Sequence, residues 1–504
     1  MFKIKYIWLL LLFISFTACN NDDDSGEPTV VLPELTSGEA DFSKFVTLGN
    51  SLTAGFTDNA LFIASQNNSL PNILSQKFAL VSGGSFNQPL MNDNFGGIAI
   101  GGQRILQPRL VFGGAGPVPL ESLIGPVTVS TDLAINNPTG PFNNMGVPGA
   151  KSFHLVAPGY GNIAGVAIGA ANPYFVRMAS SPNTTIIADA LAQNPTFFSL
   201  WAGNNDVLGF ATSGGSGVSQ EGNLDPSTYG GNDITDSNVF ASVFSQLVAG
   251  LTANGAKGIV ANIPDVTTIP FFTTVPHNPV PLDANTAAAV NGAYATYNGG
   301  LLQAEQAGFI DADERAARTI NFTASSNNAV VIVDEDLTNL GALGLPNFRQ
   351  ATANDLLVLP ASSFIGTLAD PSNPLSVNGV AIPLADQWVL TPEEQQMVAT
   401  ATQSYNNTIA AVAAANGLAF VDANALLTQL FNGGIPSGNF ILTANLVTGG
   451  AFSLDGVHPN ARGYALIANE FMKAIDLAYG SNFEDSGNFV DVGNYPTNYS
   501  PTIQ

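Results

Sequence analysis

Three histidines bound the acid–base chemistry open to this chain: His154, His277 and His458. Only His458 has a carboxylate at a useful spacing. Asp455 precedes it by three residues, Gly456 lets the chain turn between them, and Pro459 suits the first turn of a closing helix. A carboxylate so placed accepts the imidazole Nδ1–H and selects the tautomer that leaves Nε2 free as a general base. Taken alone, Asp-x-x-His also describes a solvated surface loop. His277, in Pro276-His277-Asn278-Pro279, reads as a loop residue, and His154 reads as a packing residue with no carboxylate nearby. The group that such a base would serve stands near the other end of the chain. In Phe45-Val46-Thr47-Leu48-Gly49-Asn50-Ser51-Leu52-Thr53-Ala54-Gly55 a β-prone run meets a glycine, then a serine, then a helix start. Such a turn sets the Ser51 hydroxyl at the carboxyl edge of a sheet, beside the free N–H groups of the first helical turn. Ser51 is then either a nucleophile or a helix cap.

The elements that must position these residues alternate between helix and strand. Thr196 to Trp201 is an aromatic, apolar strand that runs straight into Ala202-Gly203-Asn204-Asn205-Asp206. Val239, Val243, Leu247 and Leu251 recur at helical spacing before the strand Gly258 to Pro264, and Gln395 to Ala415 precedes the strand Leu418 to Asp422. Thr184 to Ala192 reads as a further helix, and a last one runs from about Ala461 to Tyr479. Helix-then-strand alternation predicts an α/β fold, a three-layer α/β/α sandwich around a parallel sheet. Asn143 to Lys151 reads as a glycine-rich turn. Two Gly/Pro-rich stretches read as insertions over one end of the sheet. Residues 85–142 hold β-prone runs at Ile98 to Ile100, Leu110 to Phe112 and Val127 to Val129. Residues 276–390 hold them at Ala329 to Val333 and Asp355 to Leu359.

Lys3 and Lys5, the apolar run Ile7 to Phe16, and Thr17-Ala18-Cys19 read as a secretion signal over residues 1–18. The run is too short for a membrane span, which needs about 20 apolar residues. Phe16-Thr17-Ala18-Cys19 resembles a lipobox, with Cys19 as the lipidated residue. Residues 19–40 then form an acidic tether, and acidic residues directly after the cysteine resemble the surface-export signal of Bacteroidetes lipoproteins. These likenesses imply an outer-membrane lipoprotein held to the membrane through Cys19. Cys19 is the only cysteine of the 504 residues, so no intramolecular disulfide forms. A net charge of −24, from 14 Lys+Arg against 38 Asp+Glu, excludes a nucleic-acid partner. Residues 41–480 make one domain with its insertions, and residues 481–504 a polar tail.

Four blocks together resemble the SGNH (GDSL-type) hydrolase family. Gly49-Asn50-Ser51-Leu52 is similar to its nucleophile motif, with Asn50 where the family has aspartate and Ser51 as nucleophile. Asn144-Met145-Gly146-Val147-Pro148-Gly149-Ala150 is similar to the second block, with Gly149 as oxyanion glycine and Gly146 as the other choice. Gly203-Asn204-Asn205-Asp206 matches Gly-x-Asn-Asp and gives Asn205 an oxyanion role; Asp455 and His458 match the last block. The resemblance implies a serine esterase or lipase with Ser51, Asp455 and His458 as the catalytic set. Its oxyanion donors are the N–H groups of Ser51 and Gly149 and the Asn205 amide, and it takes no cofactor or metal. Tethering and apolar insertions favour a lipid or other acyl ester as substrate. A carbohydrate deacetylase, or a non-catalytic surface binding lipoprotein, are the alternatives.

Competing motifs are thin. The chain has no Gly-x-Ser-x-Gly elbow, and Gly159-Tyr160-Gly161-Asn162-Ile163-Ala164 follows no convincing strand and reads as a loop. No Cys/His cluster has metal-ligand spacing, and Asp22 to Asp24 reads as a solvated run. Phe271, Phe272 and Phe364 read as core, with the wall of an acyl pocket as their other role.

Overall fold

In the computed structural model, which describes residues 31–503, the site grows from two strands. β1 (Phe45–Gly49) leads into α1 (Ser51–Ala54), and helix α2 (Leu70–Phe78) follows. Next come β2 (Asn144–Gly146), α3 (Ile186–Leu191), β3 (Phe197–Trp201) and α4 (Asn205–Thr212). The chain continues through α5 (Ser237–Thr252), β4 (Lys257–Ala261), α6 (Pro392–Ala415), β5 (Ala419–Val421), α7 (Ala423–Asn432) and α8 (Ala461–Tyr479). The five strands form one sheet in the order β2-β1-β3-β4-β5, with every neighbouring pair parallel. Every residue of β1 and of β3 is buried, as expected of parallel strands that read as continuous apolar runs. The protein is therefore a mixed α/β fold around an all-parallel sheet.

The strand order reverses beside β1, whose partners are β2 on one side and β3 on the other. At such a switch point the loops leaving adjacent strands part from each other, and a crevice opens at the carboxyl ends. Gly49 lies opposite Gly146 on β2 and Trp201 on β3, so the loops carrying Ser51, Gly149 and Asn205 all leave the sheet at that point.

Helix boundaries follow their caps. α5 begins at Ser237 because the Asp236 carboxylate accepts from the N–H groups of Asn238 and Val239. α6 begins three residues before the predicted start because Thr391 and Glu394 form a capping box with Pro392 at the first helical position. β2 differs from the expected turn. Asn144-Met145-Gly146 has no β-branched residue, yet it is a strand because β1 offers it an unpaired edge.

Between β1 and β2, Ile98–Ile100 pairs with Gln103–Leu106, and Leu110–Phe112 pairs with Pro117–Pro119. Val127 to Val129 is not a strand: the Val127 N–H donates to the Glu121 carboxylate instead of to a neighbouring backbone. Between β4 and β5, Val331–Val333 pairs with Phe348–Gln350, and Leu356–Leu357 pairs with Val389–Leu390. The same stretch contains a 23-residue helix, Ala284–Gln306, that the β-prone reading missed; Asp283 caps it and alanines supply its propensity.

Residues 35–503 form one compact unit. The predicted signal, Cys19 and residues 19–30 of the tether lie outside the described residues. Within residues 481–503, Phe483, Val492 and Tyr499 are buried, and the Arg109 guanidinium donates to the Ser500 carbonyl at 2.6 Å. Among the described residues no helix is long and apolar enough to cross a membrane.

Candidate active site

Asn50 decides what Ser51 is free to do. Asn50, not Ser51, caps α1: its Oδ1 accepts from the Leu52 N–H at 3.0 Å. Ser51 is the first helical residue, where the helix gives its N–H no partner and its hydroxyl no capping duty. Gly49 is required just before, because a Cβ there would stand 2.3 Å from the Trp201 carbonyl oxygen of β3. The Asn50 Nδ2 then donates to Asn204 Oδ1 at 2.9 Å, joining the loops that leave β1 and β3.

The Ser51 hydroxyl meets the imidazole predicted from the far end of the chain. His458 Nε2 lies 2.9 Å from Ser51 Oγ, and His458 Nδ1 lies 2.9 Å from Asp455 Oδ2. Because a carboxylate only accepts, Nδ1 carries the proton and Nε2 accepts from the serine. Asp455 is itself held on all sides. Oδ1 accepts from the Ser453 hydroxyl and from the N–H groups of Val457 and His458, and Oδ2 also accepts from the Asn59 N–H. Burial by itself would raise its pKa, but the imidazole and these donors outweigh it and hold the carboxyl down at about 2. Gly456, at φ +72°, makes the turn, and a Cβ there would stand 3.0 Å from the Phe271 nitrogen, which donates to the Gly456 carbonyl. Asn460 caps α8, so Pro459 precedes the cap instead of entering the helix as its position predicts.

Of the other proposed oxyanion residues, Asn205 lies beside this set and Gly149 does not line its cavity. Asn205 opens α4, lines the same cavity as Ser51 and His458, and donates from Nδ2 to the Ala150 carbonyl at 2.9 Å. That bond ties it to the loop carrying Gly149. Gly149 is exposed at φ +80° and does not line the Ser51 cavity, while Gly146, the other choice, is buried in β2. The cavity is small, about 350 Å³ of space outside protein atoms with its open mouth included. Phe271, Phe272 and Phe364 do not line it.

Several positioning residues escaped the sequence reading. Ser453 accepts from the Asp58 N–H and donates its own hydroxyl hydrogen bond to Asp455, and Asn59 reaches Asp455 through its backbone N–H. Asp58 and Asn59 both have positive φ, and an adjacent Asp-Asn pair is the signal for such a turn. Asp206 is fully buried and accepts from both the N–H and the hydroxyl of Ser152, at 2.8 and 2.7 Å, which fastens the Gly149 loop to α4. Burial drives its pKa up, and the Ser152 bonds oppose that rise. Asn204 Nδ2 is buried without a partner, while its Oδ1 accepts from Asn50. His154 accepts the Lys151 N–H at Nδ1 and stacks on Tyr160 with ring centroids 4.3 Å apart; burial pulls its pKa down to about 4. It is a packing residue.

No protein-family model and no curated protein matches the chain. Among the described residues one group of carboxylates has the spacing of a cation site: Glu335, Asp386 and Glu394, with oxygens within 4.8 Å of one another. None of the three lines the Ser51 cavity.

Proposed function

We propose that the protein is a serine esterase of the SGNH type, cleaving carboxylic esters through an acyl-serine intermediate. The observation that supports this is the unbroken chain Ser51 Oγ, His458 Nε2, His458 Nδ1, Asp455 Oδ2, with 2.9 Å at both contacts. A binding protein has no use for a tautomer-locked base against a serine hydroxyl. In the proposed reaction His458 Nε2 takes the Ser51 proton as Oγ bonds to the ester carbonyl carbon. The carbonyl electrons move to oxygen, where the N–H groups of Ser51 and Gly149 and the Asn205 amide stabilise the charge. Collapse breaks the bond to the leaving alcohol, which takes the proton from His458. Water, deprotonated by the same nitrogen, then releases the acid and restores the hydroxyl.

The scaffold proposed for this chemistry is a three-layer α/β/α sandwich, with residues 85–142 and 276–390 as insertions roofing the carboxyl edge. The N-terminal residues support export and attachment to the outer membrane through a lipidated Cys19, with no cofactor. A fluorophosphonate probe tests the reading. It should label Ser51 in the wild type and fail to do so in His458→Ala; equal labelling of both, or none in the wild type, overturns it. Assaying p-nitrophenyl esters, phospholipids and acetylated glycans side by side then separates an acyl esterase from a glycan deacetylase.

A further inference from the structure

Beside the cavity that holds Ser51 and His458 lies a second one. Its space outside protein atoms, with its open mouth included, is about 570 Å³. None of its fifteen lining residues is charged. The one indole N–H among them, that of Trp201, is already bonded to the Asn262 carbonyl at 3.0 Å. One wall is made by Ala423, Leu427 and Leu430 of α7, and another by Leu466 and Ile467 of α8.

Four residues line both spaces: Leu52, Pro264, Ile269 and Val457. Leu52 directly follows the proposed nucleophile, and Val457 directly precedes the proposed base. A group bonded to Ser51 Oγ therefore has the apolar space as its neighbour. A sugar or other polar group entering there would give up its bonds to water and find no partner. An alkyl chain gains by leaving water, and an acetyl group is too short to use the space.

We infer that this cavity takes the acyl chain of the ester, and that the protein prefers esters of medium- and long-chain fatty acids to acetyl esters. The inference rests on the esterase reading of Ser51 and adds to it the class of acid released.

The test uses the full chain with p-nitrophenyl acetate, butyrate, hexanoate and octanoate. Each methylene that becomes buried should raise kcat/KM roughly fourfold, so burying only two of the six that separate octanoate from acetate already gives more than about a tenfold rise. Ala423→Phe and Leu427→Trp each fill the cavity and should lower the octanoate-to-acetate ratio of kcat/KM by about tenfold or more. Loss of folded protein scales both rates together and leaves that ratio unmoved. A flat or falling chain-length profile in the wild type, or an unchanged ratio in a filled variant that still turns over substrate, overturns the inference. Fluorophosphonate labelling of Ser51 is run in parallel. Labelling with a flat profile removes the acyl cavity and leaves the esterase, whereas no labelling removes both.

Discussion

In the proposed reaction the hydroxyl of Ser51 is available as a nucleophile because other side chains relieve it of structural work. Asn50 does the capping and His458 supplies the base, so Ser51→Ala should abolish ester turnover while leaving the melting temperature within a degree or two of the wild type. Asn205 is different, because the proposed reaction adds a second job to its structural one. One amide hydrogen holds the Ala150 carbonyl, and the other is available to an oxyanion. Asn205→Ala should lower kcat by about 100- to 1000-fold, measured on any ester that the wild type cleaves. Near-normal kcat would take Asn205 out of the site. Asp206 acts at one remove, through Ser152. Asp206→Asn keeps one acceptor and turns a donor toward a group that also donates, which should cost about 1–3 kcal/mol in chemical denaturation. Its kcat should fall with the loosened Gly149 loop.

Elements transmit these demands through their ends. α1 is only four residues long, too short to form on propensity, and it depends on the Asn50 cap and on packing against β1 and β2. Asn50→Ala should therefore cost about 1 kcal/mol of stability and reduce activity, because the same side chain joins the loops of Ser51 and Asn204. The turn before α8 is equally exacting. Gly456→Ala puts a Cβ into the left-handed region and against the Phe271 backbone, so a loss of about 1–2 kcal/mol is expected. Since Asp455 and His458 flank that turn, kcat should fall more than KM rises, which steady-state kinetics on one ester would resolve.

At the scale of the whole molecule the excess of acid has one concentrated expression. Glu394, buried in the capping box of α6, is pushed up to about 8, first by burial and then by Asp386 and Glu335. Asp386 is pushed up to about 7, by burial first and then by Glu335. A carboxyl that binds its proton more tightly folded than unfolded stabilises the fold fully below its unfolded value of 4.5, and that contribution is lost as pH rises through the folded value. The melting temperature should thus fall from about pH 4.5 to about pH 8, and Glu394→Gln should flatten that fall. An equal slope in both proteins would show that the charge is relieved elsewhere. The proposed acyl cavity walled by α7 and α8 belongs to this scale too, since neither helix forms it alone.

Much of this protein was legible in one dimension. Apolar runs bounded by glycine and asparagine marked β1, β3 and β4, and apolar spacing marked α5. Asp-x-x-His carried the tautomer argument, because a carboxylate three residues away reaches Nδ1 through purely local geometry. What the sequence could not carry was contact between distant segments. β2 is a strand because a parallel edge was available, not because Asn144-Met145-Gly146 prefers one. Asn59 and Ser453 hold Asp455 through a backbone N–H and a hydroxyl that any loop could contain. That Asn50 and not Ser51 caps α1, and that His458 comes to rest against the Ser51 hydroxyl, was likewise tertiary. Local propensity is set by neighbours in the chain, whereas an active site is set by which chain ends the sheet brings together.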